Sequence, residues 1–187
     1  MLGENVKNPT MSLPIEVLTI LPVRPIGTGT LSEICEVLQA KGIQVAPKLP
    51  TLRPIGAYDA RRQQFRAEVL LERARSCAAR PILAVTDADC YGGTLNFVLG
   101  MAEVGGRVAL VSTHRLRAAS TRDTFRQRLA KELMHELGHG EGLGHCTDPK
   151  CVMHFSNSLT EVDAKSGELC AGCLRRLELA HAASGAA

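Results

Sequence analysis

The chain is organised around the stretch His135-Glu136-Leu137-Gly138-His139-Gly140-Glu141-Gly142-Leu143-Gly144-His145. Residues four apart in a helix lie one turn above each other, so His135 and His139 would present two imidazoles to one point. Gly142 can adopt a positive φ, which would end the helix and let His145 supply a third nitrogen. Three protein ligands leave the fourth position of a tetrahedral zinc ion to water, as in catalytic zinc sites. The stretch therefore predicts a catalytic zinc site on the three histidines.

Glu136 projects about 100° around the same helix from His135. From there its carboxylate can reach a metal-bound water without taking a coordination position, which is the arrangement of a general base. The alternative interpretation is an amphipathic helix with surface histidines. At ordinary residue frequencies, five such fixed positions coincide by chance in about one chain in 10⁴ or fewer. We therefore prefer the metal site.

A second group of possible metal ligands begins directly after His145. It consists of two cysteine pairs, C-x4-C and C-x2-C, which are separated by eighteen residues: Cys146, Cys151, Cys170 and Cys173. Two thiolate pairs joined by a loop can close a tetrahedral four-cysteine site, the usual arrangement of structural zinc. The alternative is four free or disulfide-paired cysteines. The pairing pattern favours zinc, which would tie the loop after His145 to a C-terminal helix.

Composition indicates a globular enzyme of one domain. The chain has 187 residues, of which 45% are hydrophobic and 22% are charged, enough for a sizeable core. The net charge of +3 is too small to indicate nucleic acid, so we expect no nucleic-acid partner. No apolar run approaches the ~20 residues of a membrane span, and no signal peptide is evident. With seven cysteines, an odd number, we expect reduced thiols and a cytoplasmic, membrane-free protein.

Strand and helix patterns alternate along the first half of the chain, and a hairpin follows them. The hydrophobic patterns predict strands at 15–23, 43–49, 82–86, 94–102 and 107–113, and helices at 30–42, at 62–79 and from Ser120 or Thr121 onward. We expect the fold class to be α/β with a mixed sheet. We also expect residues 1–14 to form a tail and residues 15–187 a single catalytic domain. An upper part, 15–142, would carry the active-site helix, and a lower part, 143–187, the four cysteines.

Other polar residues near these patterns have plainer interpretations. Asp87 and Asp89 end a predicted strand, where paired carboxylates are more often loop caps than acid/base catalysts. His114 and His154 are interpreted as polar structural residues and not as metal ligands. Met153, which follows the metal motif, is interpreted as an apolar floor beneath the three imidazoles.

With these residues together, the sequence resembles the archaemetzincin family of zinc metalloproteases. The match is the run H-E-x-x-H-x-x-G-x-x-H-C-x4-C-x-M followed by C-x2-C, from His135 to Cys173. Softer similarity lies at Val85-Thr86-Asp87-Ala88-Asp89 and at Ser112-Thr113-His114-Arg115. The resemblance implies a compact metzincin-like zincin fold, with a twisted five-stranded mixed sheet above the cleft and a small zinc-bound subdomain below. It also implies two zinc ions per chain, one catalytic and one structural.

The activity implied by the resemblance is zinc-dependent hydrolysis of peptide bonds in a peptide or protein substrate, with Glu136 as general base. An extended substrate could pair with the predicted edge strand at 94–102. No tyrosine lies beyond Tyr91, so we assign no tyrosine to the developing oxyanion. The alternative is a non-catalytic or weakly active zinc module that binds a peptide or nucleic-acid partner. Glu136 argues against it, because a purely structural site needs no unliganded carboxylate there.

Overall fold

A computed structural model describes residues 13–47, 55–77 and 79–184 of the chain. The strands in these ranges are β1 Val17–Pro22, β2 Gln44–Pro47, β3 Tyr58–Asp59, β4 Gln64–Arg66, β5 Ile82–Thr86, β6 Cys90–Tyr91, β7 Gly100–Glu103 and β8 Val108–Ser112. The helices are α1 Thr28–Ala40, α2 Ala67–Arg75, α3 Arg122–Gly140, α4 Leu159–Ala164 and α5 Ala171–Ser184. Within the same ranges, no helix is both long enough and apolar enough to cross a membrane.

Five of the strands form one mixed sheet in the order β2-β1-β5-β8-β7. The first four run parallel, and β7 lies antiparallel to β8 at the edge. The central strands β5 and β8 are buried along their whole length, as expected for parallel strands that are covered on both faces. A smaller sheet contains β3, β4 and β6. The predicted fold class, a mixed five-stranded sheet with helices, is confirmed.

The helices cover the sheet from both sides, and β5 shows how the two faces are divided. Leu83 and Val85 belong to a core that also contains apolar side chains of α1 and α3. Ile82 and Ala84 belong to a second core that contains Leu70 of α2. This alternation follows from the two-residue period of a strand. The sheet therefore forms a rigid support for α3, which carries the histidine motif.

Helix α3 begins and ends as the sequence indicates. Thr121 is its N-cap, and its side chain accepts a hydrogen bond from the Thr124 N–H at 3.2 Å. The apolar stripe is buried along the helix: Phe125, Leu129, Leu133 and Leu137. At the other end Gly142 has φ +97°, and the Leu143 N–H donates to the Gly138 carbonyl at 2.9 Å. This glycine-based cap reverses the chain directly after the helix, as predicted.

Several predicted boundaries differ from the structure. The helix predicted at 62–79 begins at Ala67, because Phe65 pairs with Cys90 in the small sheet. In the hairpin, the strand predicted at 94–102 is only Gly100–Glu103, and the segment before it makes a single bridge, at Val98. Leu13, inside the predicted tail, is buried in the core. Residues 1–12 of that tail, and 48–49 of the predicted second strand, lie outside the described residues.

Replacing Leu129 tests the packing of α3 on the sheet. Leu129→Ala removes a fully buried side chain, so we expect the free energy of unfolding to fall by about 2–5 kcal/mol. Leu179→Ala is the matched control, because that leucine is 72% exposed, and we expect a change within about 0.5 kcal/mol. Urea denaturation of the metal-loaded proteins measures both. Equal effects of the two substitutions would contradict the packing described above.

Candidate metal centres

The structure brings the three predicted histidines together. His135, His139 and His145 each offer a ring nitrogen, and these atoms lie within 4.8 Å of one another. The Nε2 atoms of His135 and His139 are 3.1 Å apart. Two nitrogens on one tetrahedral zinc ion, each about 2.0–2.1 Å from the metal, would be separated by about 3.3 Å. The spacing of the three side chains is therefore that of a zinc site.

Backbone carbonyls fix the direction of two of these imidazoles. The Nδ1 atom of His135 lies 2.8 Å from the Val152 carbonyl, and that of His139 lies 2.7 Å from the Leu143 carbonyl. A proton on each Nδ1 leaves both Nε2 atoms unprotonated and facing each other. Burial lowers the pKa of His135 to about 3 and also lowers that of His139, which favours the neutral rings. Two facing lone pairs repel each other unless a cation lies between them, so this donor set fits zinc.

Glu136 lies in the same cleft and is only 4% exposed. Its Oε2 atom has no hydrogen-bond partner among the described residues. A Cβ atom placed on Gly100 of β7 would lie 2.5 Å from the Glu136 Cγ, so only glycine permits this approach of strand and helix. Burial, together with the neighbouring Glu132, raises the pKa of Glu136 well above its ordinary value. The arrangement leaves one carboxylate oxygen available to a ligand in the cleft.

Two charged residues that sequence reasoning missed also line this cleft. Glu132 is 5% exposed and precedes Glu136 by one turn of α3, a spacing that could have revealed it. Lys165 is 3% exposed and follows α4. Lys165 lies far from the histidine motif in the sequence, so the motif does not predict its position in the cleft. Its ammonium group provides a positive charge near the two buried carboxyl groups.

The cleft itself has a volume of about 490 Å³ and lies between α3, the edge strand β7 and the chain after Met153. Its upper wall is continuous and mostly apolar, and consists of residues 95–102 and Val104. On the opposite side the ring of Phe155 packs 4.9 Å from the ring of His145. A cleft open along a strand edge can accept an extended chain.

Met153 is fully buried beneath the active-site helix. A Cβ atom on Gly138 would lie 2.5 Å from the Met153 Sδ, so the thioether packs against the helix between His135 and His139. This is where the apolar floor was predicted. Glycine at position 138 is therefore needed for the contact between Met153 and the helix.

The four predicted cysteines form a second cluster. Their Sγ atoms lie within 4.8 Å of one another, with Cys146 and Cys170 at 3.8 Å and Cys151 and Cys173 at 3.6 Å. A tetrahedral zinc ion with sulfurs at about 2.3 Å would separate them by about 3.8 Å. All four are free thiols in the structure. The cluster fits a closed four-cysteine zinc site.

The other predicted polar residues have structural contacts. The Asp87 carboxylate accepts the Gly27 N–H at 2.7 Å at the start of α1, and Asp89 accepts two hydrogen bonds from Arg115 at 2.7 and 2.8 Å. The His154 Nδ1 lies 2.9 Å from the Cys146 carbonyl. Neither aspartate belongs to the two groups that could hold a metal among the described residues. Asp87 therefore lies at the cap of α1, whereas Asp89 forms an ion pair with Arg115. That neither aspartate is catalytic stays a prediction.

The chain is similar to known proteins over most of its length. Residues 55–179 match the model of peptidase family M54. The archaemetzincin of Pyrococcus furiosus is 37% identical over 178 residues, which cover 87% of this chain and 93% of that protein. The crystal structure of archaemetzincin from Methanopyrus kandleri superposes with a TM-score of 0.79 at 36% identity, covering 94% of this chain and 98% of that one. The archaemetzincin structure from Archaeoglobus fulgidus superposes with a TM-score of 0.76 at 32% identity, covering 86% of this chain and 99% of that one.

These matches extend over most of the chain and include both candidate metal centres. The family model alone spans more than half of the residues. The chain therefore belongs to peptidase family M54, the family of the archaemetzincins, and is a zinc metallopeptidase.

Proposed function

We propose that the chain hydrolyses peptide bonds with a zinc ion on His135, His139 and His145 and with Glu136 as general base. One observation carries this proposal. Two neutral imidazole nitrogens converge to 3.1 Å beside a buried carboxylate that has one unpartnered oxygen. A purely structural zinc site would not need that carboxylate, so the observation favours an enzyme over the alternative of a non-catalytic zinc module.

The protein residues would divide the chemistry between them. When bound, zinc would lower the pKa of water to about 7 and polarise the scissile carbonyl. Glu136 accepts the proton of the attacking water and passes it to the leaving amine. Gly100 keeps β7 close enough to hold the Glu136 side chain in place.

We propose that an extended peptide or protein segment lies along β7. This strand is at the edge of the sheet and its residues line the cleft, so its outer edge can pair with a substrate backbone. The apolar upper wall of the cleft would contact the substrate side chains that point toward it. Pairing by backbone hydrogen bonds would place the scissile carbonyl over the three histidines.

We also propose that the four cysteines hold a second, structural zinc ion. The sulfur spacings support this assignment, and so does Arg176, whose Nη2 lies 3.1 Å from the Cys173 Sγ. A guanidinium group there offsets the negative charge of several thiolates. Because every coordination position would be filled by protein, this zinc would stabilise the fold and take no part in hydrolysis.

Glu136→Gln tests the catalytic assignment. The amide keeps the size and polarity of the side chain but cannot accept the proton, so we expect kcat to fall by about 10² to 10⁴-fold while zinc content is unchanged. Binding of a hydroxamate, which chelates zinc directly, should persist. Glu178→Gln, on the exposed side of α5, is the control and should cleave like the wild type. Full activity of Glu136→Gln on a cleaved peptide would show that another residue is the base.

Gly100→Ala tests the position of the base separately from its chemistry. The added methyl group would meet the Glu136 side chain and displace the carboxylate, for which we expect about a 10²-fold loss of kcat at unchanged zinc content. Gly144→Ala is the control, since a Cβ atom there has no heavy atom within 4 Å. Peptide hydrolysis and elemental analysis are measured on the same samples. Equal activity of the two variants would remove Gly100 from the proposed mechanism.

A further inference from the structure

The cleft contains buried charged residues that the proposed mechanism does not use. Glu132, Lys165, Ser156 and Asn157 all line the cleft that contains the three histidines. We call these four residues the polar recess. The upper wall of the cleft is mostly apolar, so a substrate would meet a different chemistry at the polar recess. Buried charged side chains are costly unless they have partners, so their presence calls for an explanation.

The hydrogen bonds of the recess are incomplete. Lys165 donates one hydrogen bond, from Nζ to the His154 carbonyl at 3.2 Å, and its other two donors have no partner among the described residues. The Ser156 hydroxyl is buried and also lacks a partner in the described part of the chain. A ligand that accepts a hydrogen bond would therefore satisfy groups that the protein leaves unsatisfied.

The charges around Lys165 restrict which ligand fits. A carboxylate would accept from Lys165 but would bring its oxygens against the carboxyl groups of Glu132 and Glu136, which already share a hydrogen bond. An ammonium group would lie against the Lys165 ammonium and be repelled by it. An apolar side chain would leave the Lys165 donors without a partner. A carboxamide avoids all three costs, because its oxygen accepts from Lys165 while its NH₂ group donates to Glu132.

We propose that the polar recess is a specificity site that receives the carboxamide side chain of a glutamine or asparagine in the substrate. The inference rests on the proposed peptidase function and names its substrate class. Glu132 precedes His135 by three residues on α3, and the recess lines the same cleft as the metal ligands, so the recognised residue would lie close to the scissile bond. Apolar side chains occupy the remaining positions along β7.

A peptide series tests this preference. The peptides are identical except for one residue, which is Gln, Glu, Lys or Met and is placed in turn at each position near the scissile bond. Met matches Gln in length without its hydrogen bonds. At one position we expect kcat/KM for Gln to exceed that for the other three by about tenfold or more. The absence of such a preference at every position would overturn the proposal.

A binding measurement separates this inference from the proposed function. Hydroxamates carrying the same four side chains, on either side of the zinc-binding group, are titrated into the zinc-loaded protein by calorimetry. We expect the Gln compound of one series to bind about tenfold more tightly than the Met and Glu compounds. If no peptide is cleaved but the Gln compound still binds more tightly, the proposed hydrolysis is wrong and the proposed specificity site is supported. Equal binding of all four compounds would overturn the recess, whatever the protein cleaves.

Substitutions assign the preference to particular residues. Glu132→Gln replaces an acceptor oxygen with an N–H donor that a carboxylate can accept from, so we expect the ratio of Glu to Gln binding to rise about tenfold. Lys165→Met removes the donors, and the advantage of Gln over Met should fall to less than about threefold. Lys41→Met is the control, since Lys41 pairs with Glu168 and does not line the cleft. Should Lys165→Met fail to fold, Glu132→Gln decides alone, and an unchanged Glu to Gln ratio in it would contradict the proposal.

Discussion

The hydrogen bond between the His135 Nδ1 and the Val152 carbonyl, 2.8 Å long, is the contact on which the active site depends. This hydrogen bond turns the His135 ring toward the point where the three imidazoles converge. The Val152 carbonyl that accepts it lies in the loop that follows α3. The same loop supplies the Leu143 carbonyl to His139. A displaced carbonyl would rotate the imidazole ring that it contacts. The geometry of the histidine centre therefore depends on how firmly this loop is held.

The four cysteines explain how that loop is held. Cys146 and Cys151 lie in it, and the Cys146 N–H donates a backbone hydrogen bond to the Met153 carbonyl, 2.9 Å long. Their partners Cys170 and Cys173 belong to the start of α5 and the residue before it, in a part of the chain that is also packed on the core. We therefore regard the two candidate centres as one unit, in which the cysteine cluster sets the backbone that orients the histidines.

The sequence predicted which histidine and cysteine side chains converge, because the H-E-x-x-H spacing and the cysteine pairs depend on local geometry that a few residues determine. The sequence predicted less well those features that depend on contacts between residues far apart in the chain. Phe65 was assigned to a helix, but its pairing with Cys90 places it in a strand. Glu132 and Lys165 were missed because burial brings them into the cleft, and only the one-turn spacing of Glu132 to Glu136 could have indicated it. The approach of Gly100 to Glu136 likewise follows from tertiary packing.

Zinc binding by Cys170→Ser tests most directly whether the cysteine cluster supports the histidine centre. Elemental analysis and competition with a chelator are compared between the wild type, Cys170→Ser and the control Cys77→Ser, whose cysteine lies outside both clusters. Our account predicts two zinc ions per wild-type and Cys77→Ser chain. Cys170→Ser should lose one zinc ion and hold the other at least about tenfold more weakly, because the loop carbonyls are no longer fixed. A Cys170→Ser protein whose histidine centre binds zinc with wild-type affinity would contradict it.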